Sequence, residues 1–186
     1  MRFELAEFKC KVWISAFEGK VDVASVMKEA NDRFPDAAVQ FFDLDRVAGS
    51  RHLLLAAYNA MKSYNSSRRI TRSLGMEVLL FVSGTRQITL ALERVGINAD
   101  TMSSAVMVLA ASDEAIECIS DMLIERFHQN CNDKLLDTWT GRRRELVQRV
   151  FGIGMKELKA TNRTGGVEKA IEKLAIERSA MLAVAK

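Results

Sequence analysis

The chain has 186 residues, 48% hydrophobic and 27% charged, which is enough for one domain with a sizeable core and too few for two. Its formal net charge of +3 is too small to mark a nucleic-acid binder by itself, so the position of the charge decides. Cys10, Cys118 and Cys131 lie far apart with no paired spacing, the start lacks a basic-then-apolar leader, and apolar runs such as 105–111 are far too short to span a bilayer. These features exclude a disulfide framework and lead to the expectation of a soluble cytoplasmic protein with reduced thiols.

In chain order, 8–14 is rich in strand formers and partly alternates polar with apolar, so it reads as a strand. Val23, Val26, Met27 and Ala30 then fall at helical spacing over 23–34, with Asp22 as N-cap and Pro35 as the stop. A short apolar strand follows at 39–42. Residues 50–64 predict a helix whose apolar face is Leu54, Leu55, Tyr58 and Met61. After the polar linker 65–69, the nearly continuous apolar run 76–82 predicts a buried strand. Ser83-Gly84 makes a turn, Thr85 caps a helix to Arg94, and Gly96 ends it. A last strand, 105–111, leads through Ser112-Asp113-Glu114 into a helix that continues to about His128. From Lys134 onward the periodicity is helical, broken at Gly152-Ile153-Gly154 and Thr164-Gly165-Gly166. The expected architecture is a single α+β domain over 1–186. It has a small sheet of four to five strands, mainly antiparallel or mixed, packed with helices, and a helical C-terminal third from about 134.

Enzyme chemistry is sparse. His52 and His128 belong to no metal-ligand pattern, and no nucleophile elbow, Walker loop or dinucleotide fingerprint occurs. Asp43 and Asp45 could hold a divalent cation, but aspartates after a short strand more commonly form turns and caps. No catalytic residue, metal or cofactor is therefore expected.

Positive charge collects at Arg68, Arg69 and Arg72, with Ser73 after them, and again at Arg86 on a turn into a helix N-terminus, beside Gln87. Arginines hold phosphates, hydroxyls and amides hold sugar or base edges, and a helix N-terminus favours anions. The alternative is a solvated surface. A second cluster, Arg142-Arg143-Arg144 with Arg149, points in several directions on a helix and reads as a solvated helix start.

The blocks Gly49-Ser50-Arg51-His52-Leu53-Leu54-Leu55, Arg69-Ile70-Thr71-Arg72-Ser73-Leu74, Ser83-Gly84-Thr85-Arg86-Gln87-Ile88 and Arg94-Val95-Gly96-Ile97, with the helix from Val167 to Leu182, resemble the PRPK-binding-protein family. That family supplies the small regulatory subunit of KEOPS, the complex that makes threonylcarbamoyl-adenosine in tRNA. The likeness covers about 8–186, and residues 129–150 depart from it in being longer and more basic.

The resemblance implies a non-catalytic subunit that binds the KEOPS kinase/ATPase directly and the remaining KEOPS subunits indirectly. In archaeal-type members it also implies capture of the tRNA 3′ CCA end. With that implication the residues expected to line the RNA pocket are Arg86, Gln87 and Ile88, with Gly84 and Thr85 in the same tRNA-binding turn and Arg68, Arg69, Arg72 and Ser73 along the approaching backbone. Ile171, Leu174, Arg178 and Met181 form a stripe that serves either the kinase or the core. The rival expectations are a stand-alone RNA-binding module, a purely structural adaptor without tRNA contact, and, as the weakest, an enzyme with an unfamiliar site.

Overall fold

The computed structural model describes residues 1–20, 22–127, 131–162 and 165–184. The chain divides into two units: Met1–Leu44 with Ile97–Leu136, and Asp45–Gly96 with Asp137–Lys186. Among the described residues it forms eight α-helices and a four-stranded antiparallel sheet, an α+β protein with a helical C-terminal part, in agreement with the expected fold class.

The first unit holds the sheet. Strands β1 (Arg2–Leu5), β2 (Cys10–Glu18), β3 (Ala38–Asp43) and β4 (Ser103–Ala110) lie in the order β1-β2-β4-β3, every pair antiparallel. Trp13 pairs with Val108, which pairs in turn with Val39, and Val106 pairs with Phe41. Alternation along each strand therefore gathers Trp13, Phe17, Val39, Phe41, Val106 and Val108 on one face. Helix α1 (Val23–Arg33) covers that face with Val26 and Ala30, and α5 (Asp113–Arg126) with Ile116, Ile119 and Leu123. Phe127 packs against Phe17 with 4.6 Å between ring centroids. Both helices start where their caps direct: Asp22 accepts from the Ser25 N–H and Ser112 from the Ala115 N–H. His128, expected near the end of α5, lies outside the described residues.

The second unit is helical: α2 (Ser50–Tyr64), α3 (Leu74–Ser83), α4 (Ile88–Val95), α6 (Gly141–Phe151), α7 (Met155–Thr161) and α8 (Gly166–Val184). Here one expectation fails. Residues 76–82 are not a strand but the body of α3, which packs against α2, α4 and α8. Val78 through Val82 are at most 1% exposed, and an apolar run buried on every side reads alike as helix or strand. A second core joins Val147, Phe151, Ile153, Leu158, Ala170, Ile171, Leu174 and Ala175. Gly152, at φ 61°, adopts the left-handed conformation that ends α6. The break expected at Thr164 falls partly outside the described residues, and α8 begins at Gly166.

The second cluster of arginines stands at a helix start as expected and is solvated at Arg142 and in part at Arg144, but not at Arg143. Each of its three consecutive side chains takes a different route: Arg142 pairs with Asp45 at 3.3 Å, Arg144 with Glu168 at 3.1 Å, and Arg143 turns inward. At 1% exposure Arg143 donates to the Val47 carbonyl from Nε and Nη2 (3.2 and 3.1 Å) and to the Thr138 carbonyl from Nη1 at 2.7 Å, with its guanidinium 5.1 Å from the Trp139 ring centre.

His52, on α2, is fully buried. Its Nδ1 accepts the Ala48 N–H at 3.2 Å, so the proton sits on Nε2, 2.9 Å from Ser179 Oγ on α8. The ring meets Phe151 edge to face. Burial, helped by the Arg143 charge, pushes the imidazole down from 6.5 to about 4. Because the folded value is depressed, the unfolded chain takes up the proton first as pH falls. Stability is then complete above about 6.5 and is lost between 6.5 and 4. His52→Gln should remove this dependence. The gap in unfolding free energy between wild type and variant is expected to shrink by on the order of 3 kcal/mol from pH 7 to pH 4 in denaturant titrations.

Candidate nucleic-acid interface

The basic segment between α2 and α3 is a built loop. Ser66 Oγ donates to the Ser63 carbonyl and accepts the Arg68 N–H, while the Tyr64 hydroxyl donates to the Arg72 carbonyl at 3.1 Å. Glu77, in the first turn of α3 and 0% exposed, accepts from the Ile70 N–H (3.2 Å to each oxygen), the Thr71 N–H (2.8 Å), Thr71 Oγ1 (2.9 Å) and Ser63 Oγ (2.7 Å). These bonds fix the backbone and leave Arg68, Arg69 and Arg72 exposed.

At the other end of α3, Gly84 takes the left-handed conformation at φ 66°, and its N–H returns to the helix. A side chain there would come within 3.3 Å of the Arg178 carbonyl, so this turn lies directly against α8. The expected cap is displaced: Thr85 Oγ1 accepts the Gln87 N–H, and α4 starts at Ile88 with Gln87 at the cap position. Since α3 is a helix, Ser83-Gly84 closes a helix C-terminus rather than opening an anion site, and the next helix N-terminus begins only after Gln87.

Between these two connections lies a cleft of about 580 Å³. Phe81 and Leu182, both nearly covered, line it together with Ile70 and the exposed Val184, so one side is apolar. Exposed Lys62, Arg68 and Arg86 supply positive charge, and Ser63, Ser66 and Asn59 supply hydrogen-bonding groups. A splayed nucleotide calls for such a combination, with cations for the phosphate and an apolar wall for the base.

The structure thus brings Arg68 and Arg86 together from segments eighteen residues apart in the chain. Other residues singled out in the sequence do not line the cleft. Arg69 lies over the Tyr64 ring at 5.1 Å, Ser73 stands at the start of α3 without a side-chain cap bond, and Ile88 is 43% exposed on α4. Arg72, Thr85 and Gln87 stay at the surface nearby. Sequence reasoning misses Lys62, Phe81, Leu182 and Val184. Lys62 and Phe81 lie on elements whose dominant signal is their core pattern, and the two α8 residues lie a hundred positions further along the chain.

The α8 stripe divides. Ile171 (0% exposed) and Leu174 (4%) sit in the second core, whereas Arg178 is half-buried and ion-paired with Glu157 of α7. Met181 is 56% exposed, and Met155 at the start of α7 is 63% exposed. Of the stripe, only Arg178 and Met181 therefore face outward.

Among the described residues no group of three or more histidine, cysteine, aspartate or glutamate side chains gathers in metal-binding geometry, and no helix is long and apolar enough to cross a membrane. Asp45 is paired with Arg142, and Asp43 accepts from Thr101 Oγ1.

Comparison with known proteins gives a consistent picture. A relative described as an EKC/KEOPS complex subunit CGI121, from Yarrowia lipolytica (strain CLIB 122 / E 150), is 26% identical over 107 residues. That match covers 58% of this chain, and the chain spans 63% of the relative's length. The family model of the kinase binding protein CGI-121 matches residues 19–182. With the match running through both units, the chain belongs to the CGI-121 kinase-binding-protein family.

Proposed function

We propose that this chain is a non-catalytic, cytoplasmic subunit of a KEOPS-type complex. It holds the unpaired 3′ CCA end of tRNA in the cleft and docks the complex's kinase/ATPase subunit during threonylcarbamoyl-adenosine modification. The observation that carries the reading is the convergence of Lys62, Arg68 and Arg86 on one cleft with an apolar wall of Ile70, Phe81 and Leu182. Phosphates of the single strand meet the cations while a terminal base lies against the wall. Arg69, Arg72, Ser73, Gln87 and Ile88 extend the surface on which the approaching strand lies, and Gly84 and Thr85 shape its turn. The kinase subunit docks on the outer side of α8, where Arg178 and Met181 face outward, with Ile171 and Leu174 holding the helix from within.

The test is binding of full-length tRNA and of tRNA lacking its CCA end at fixed salt, with the kinase subunit titrated separately. Full-length tRNA is expected to bind and truncated tRNA to lose most of its affinity. Equal affinity for both RNAs would place recognition elsewhere on the tRNA. Kinase binding that survives Met181→Asp and Arg178→Glu together would remove α8 from that interface.

A further inference from the structure

We infer that Glu77 is a positioning residue for RNA binding, an inference that rests on the cleft holding RNA as proposed above. Glu77 never reaches the cleft, yet it sets the conformation of the loop that carries the arginines.

A carboxylate with no exposed surface is costly to bury unless donors satisfy it. Here the donors are the backbone amides of Ile70 and Thr71 and the hydroxyls of Thr71 and Ser63, which converge on its two oxygens. Three of the four belong to the basic segment itself. Two successive amides aimed inward at one side chain force the chain to turn there, and the residues just before them are Arg68 and Arg69. Ser63 ties the same carboxylate to the last turn of α2, one residue from Lys62 of the cleft. Glu77 thus joins the C-terminus of α2, the basic loop and the start of α3 at one point.

Only a carboxylate meets all these donors. Glutamine has the same shape but offers one uncharged oxygen, which the Ile70 and Thr71 amides and the Thr71 hydroxyl would have to share, while its NH2 group could be met only by the Ser63 hydroxyl turned to accept. The loop would loosen, and the arginines would have to be ordered at each binding event instead of beforehand. Fewer phosphates would then be neutralised in the complex, and binding would depend less steeply on salt.

The experiment measures tRNA affinity across a range of salt for wild type, Glu77→Gln, Thr71→Val and Leu158→Ala. The last is a control that weakens the second core away from the cleft. Glu77→Gln is expected to bind about tenfold more weakly, as for ordering the loop and its arginine side chains at each binding event. The slope of log affinity against log salt should become shallower by about 0.7 for each phosphate that is no longer neutralised. Thr71→Val should move both quantities in the same direction by less, and Leu158→Ala should leave the slope unchanged while folded. A folded Glu77→Gln with wild-type affinity, or with weaker binding at an unchanged slope, overturns the inference. If Glu77→Gln does not fold, Thr71→Val decides, and an unchanged slope there overturns it equally. A wild-type chain with no affinity for tRNA is a different result, which removes the functional reading itself.

Discussion

Arg143→Ala is expected to destabilise the helical unit by about 3 kcal/mol, read as a fall in the denaturation midpoint at an unchanged m-value. The guanidinium is buried and donates to the Val47 and Thr138 carbonyls over the face of Trp139. Removing it strands both acceptors, each worth about 1–3 kcal/mol when left unsatisfied, and opens a cavity beside the indole. Burial pushes the guanidinium down to about 10, against the opposing pull of Asp45 and Asp137, so it remains charged at neutral pH. Lysine should recover less than half of the loss. A single ammonium cannot reach both carbonyls as the fixed guanidinium fork does while standing over the Trp139 ring. A variant as stable as wild type would mean that this buried arginine contributes nothing net to the fold.

Arg68→Glu and Arg86→Glu are each expected to weaken tRNA binding at least about tenfold, and together about a hundredfold. Each reversal removes a cation that neutralises phosphate and adds a like charge to a cleft that holds only one further cation, Lys62, among its described lining residues. The salt slope should fall with each, by about 0.7 for a single-stranded ligand. Arg69→Glu and Arg72→Glu make the same change in net charge. Arg69 lies over Tyr64 and Arg72 does not line the cleft, so their effects should be clearly smaller. Equal losses for all four arginines, measured by filter binding at one salt concentration, would mean that general charge rather than the cleft holds the RNA.

Much of the fold is legible in the sequence where local chemistry and tertiary context agree. The helix expected over 50–64 coincides with α2, although its buried face is His52, Leu53, Ala56, Ala57, Ala60 and Met61, with the expected Leu54, Leu55 and Tyr58 only partly covered. Asp22 and Ser112 mark the starts of α1 and α5 by cap bonds that form in the structure. β1 escapes sequence reasoning because four residues with alternating charge, Arg2 to Leu5, give too short a pattern to stand out. α3 reads as a strand because a helix packed against α2, α4 and α8 loses its amphipathic stripe. At the site, the arginine segment announces itself by composition. Its support does not: Arg143 is read as solvated, Glu77 is absorbed in the apolar run 76–82, and only their tertiary partners reveal what each buried charge does. The apolar wall is equally hidden, since Phe81 and Leu182 look like ordinary core residues until the cleft between their helices is seen.

The most direct test of the cleft as an RNA 3′-end site is photocrosslinking with tRNA whose terminal adenosine carries an 8-azido group, followed by mass spectrometric mapping. The account predicts adducts at the apolar wall, on peptides containing Ile70, Phe81 or Leu182, and their loss in the Arg68→Glu, Arg86→Glu double variant. Adducts confined to the sheet-bearing unit, or unchanged in the double variant, would contradict it.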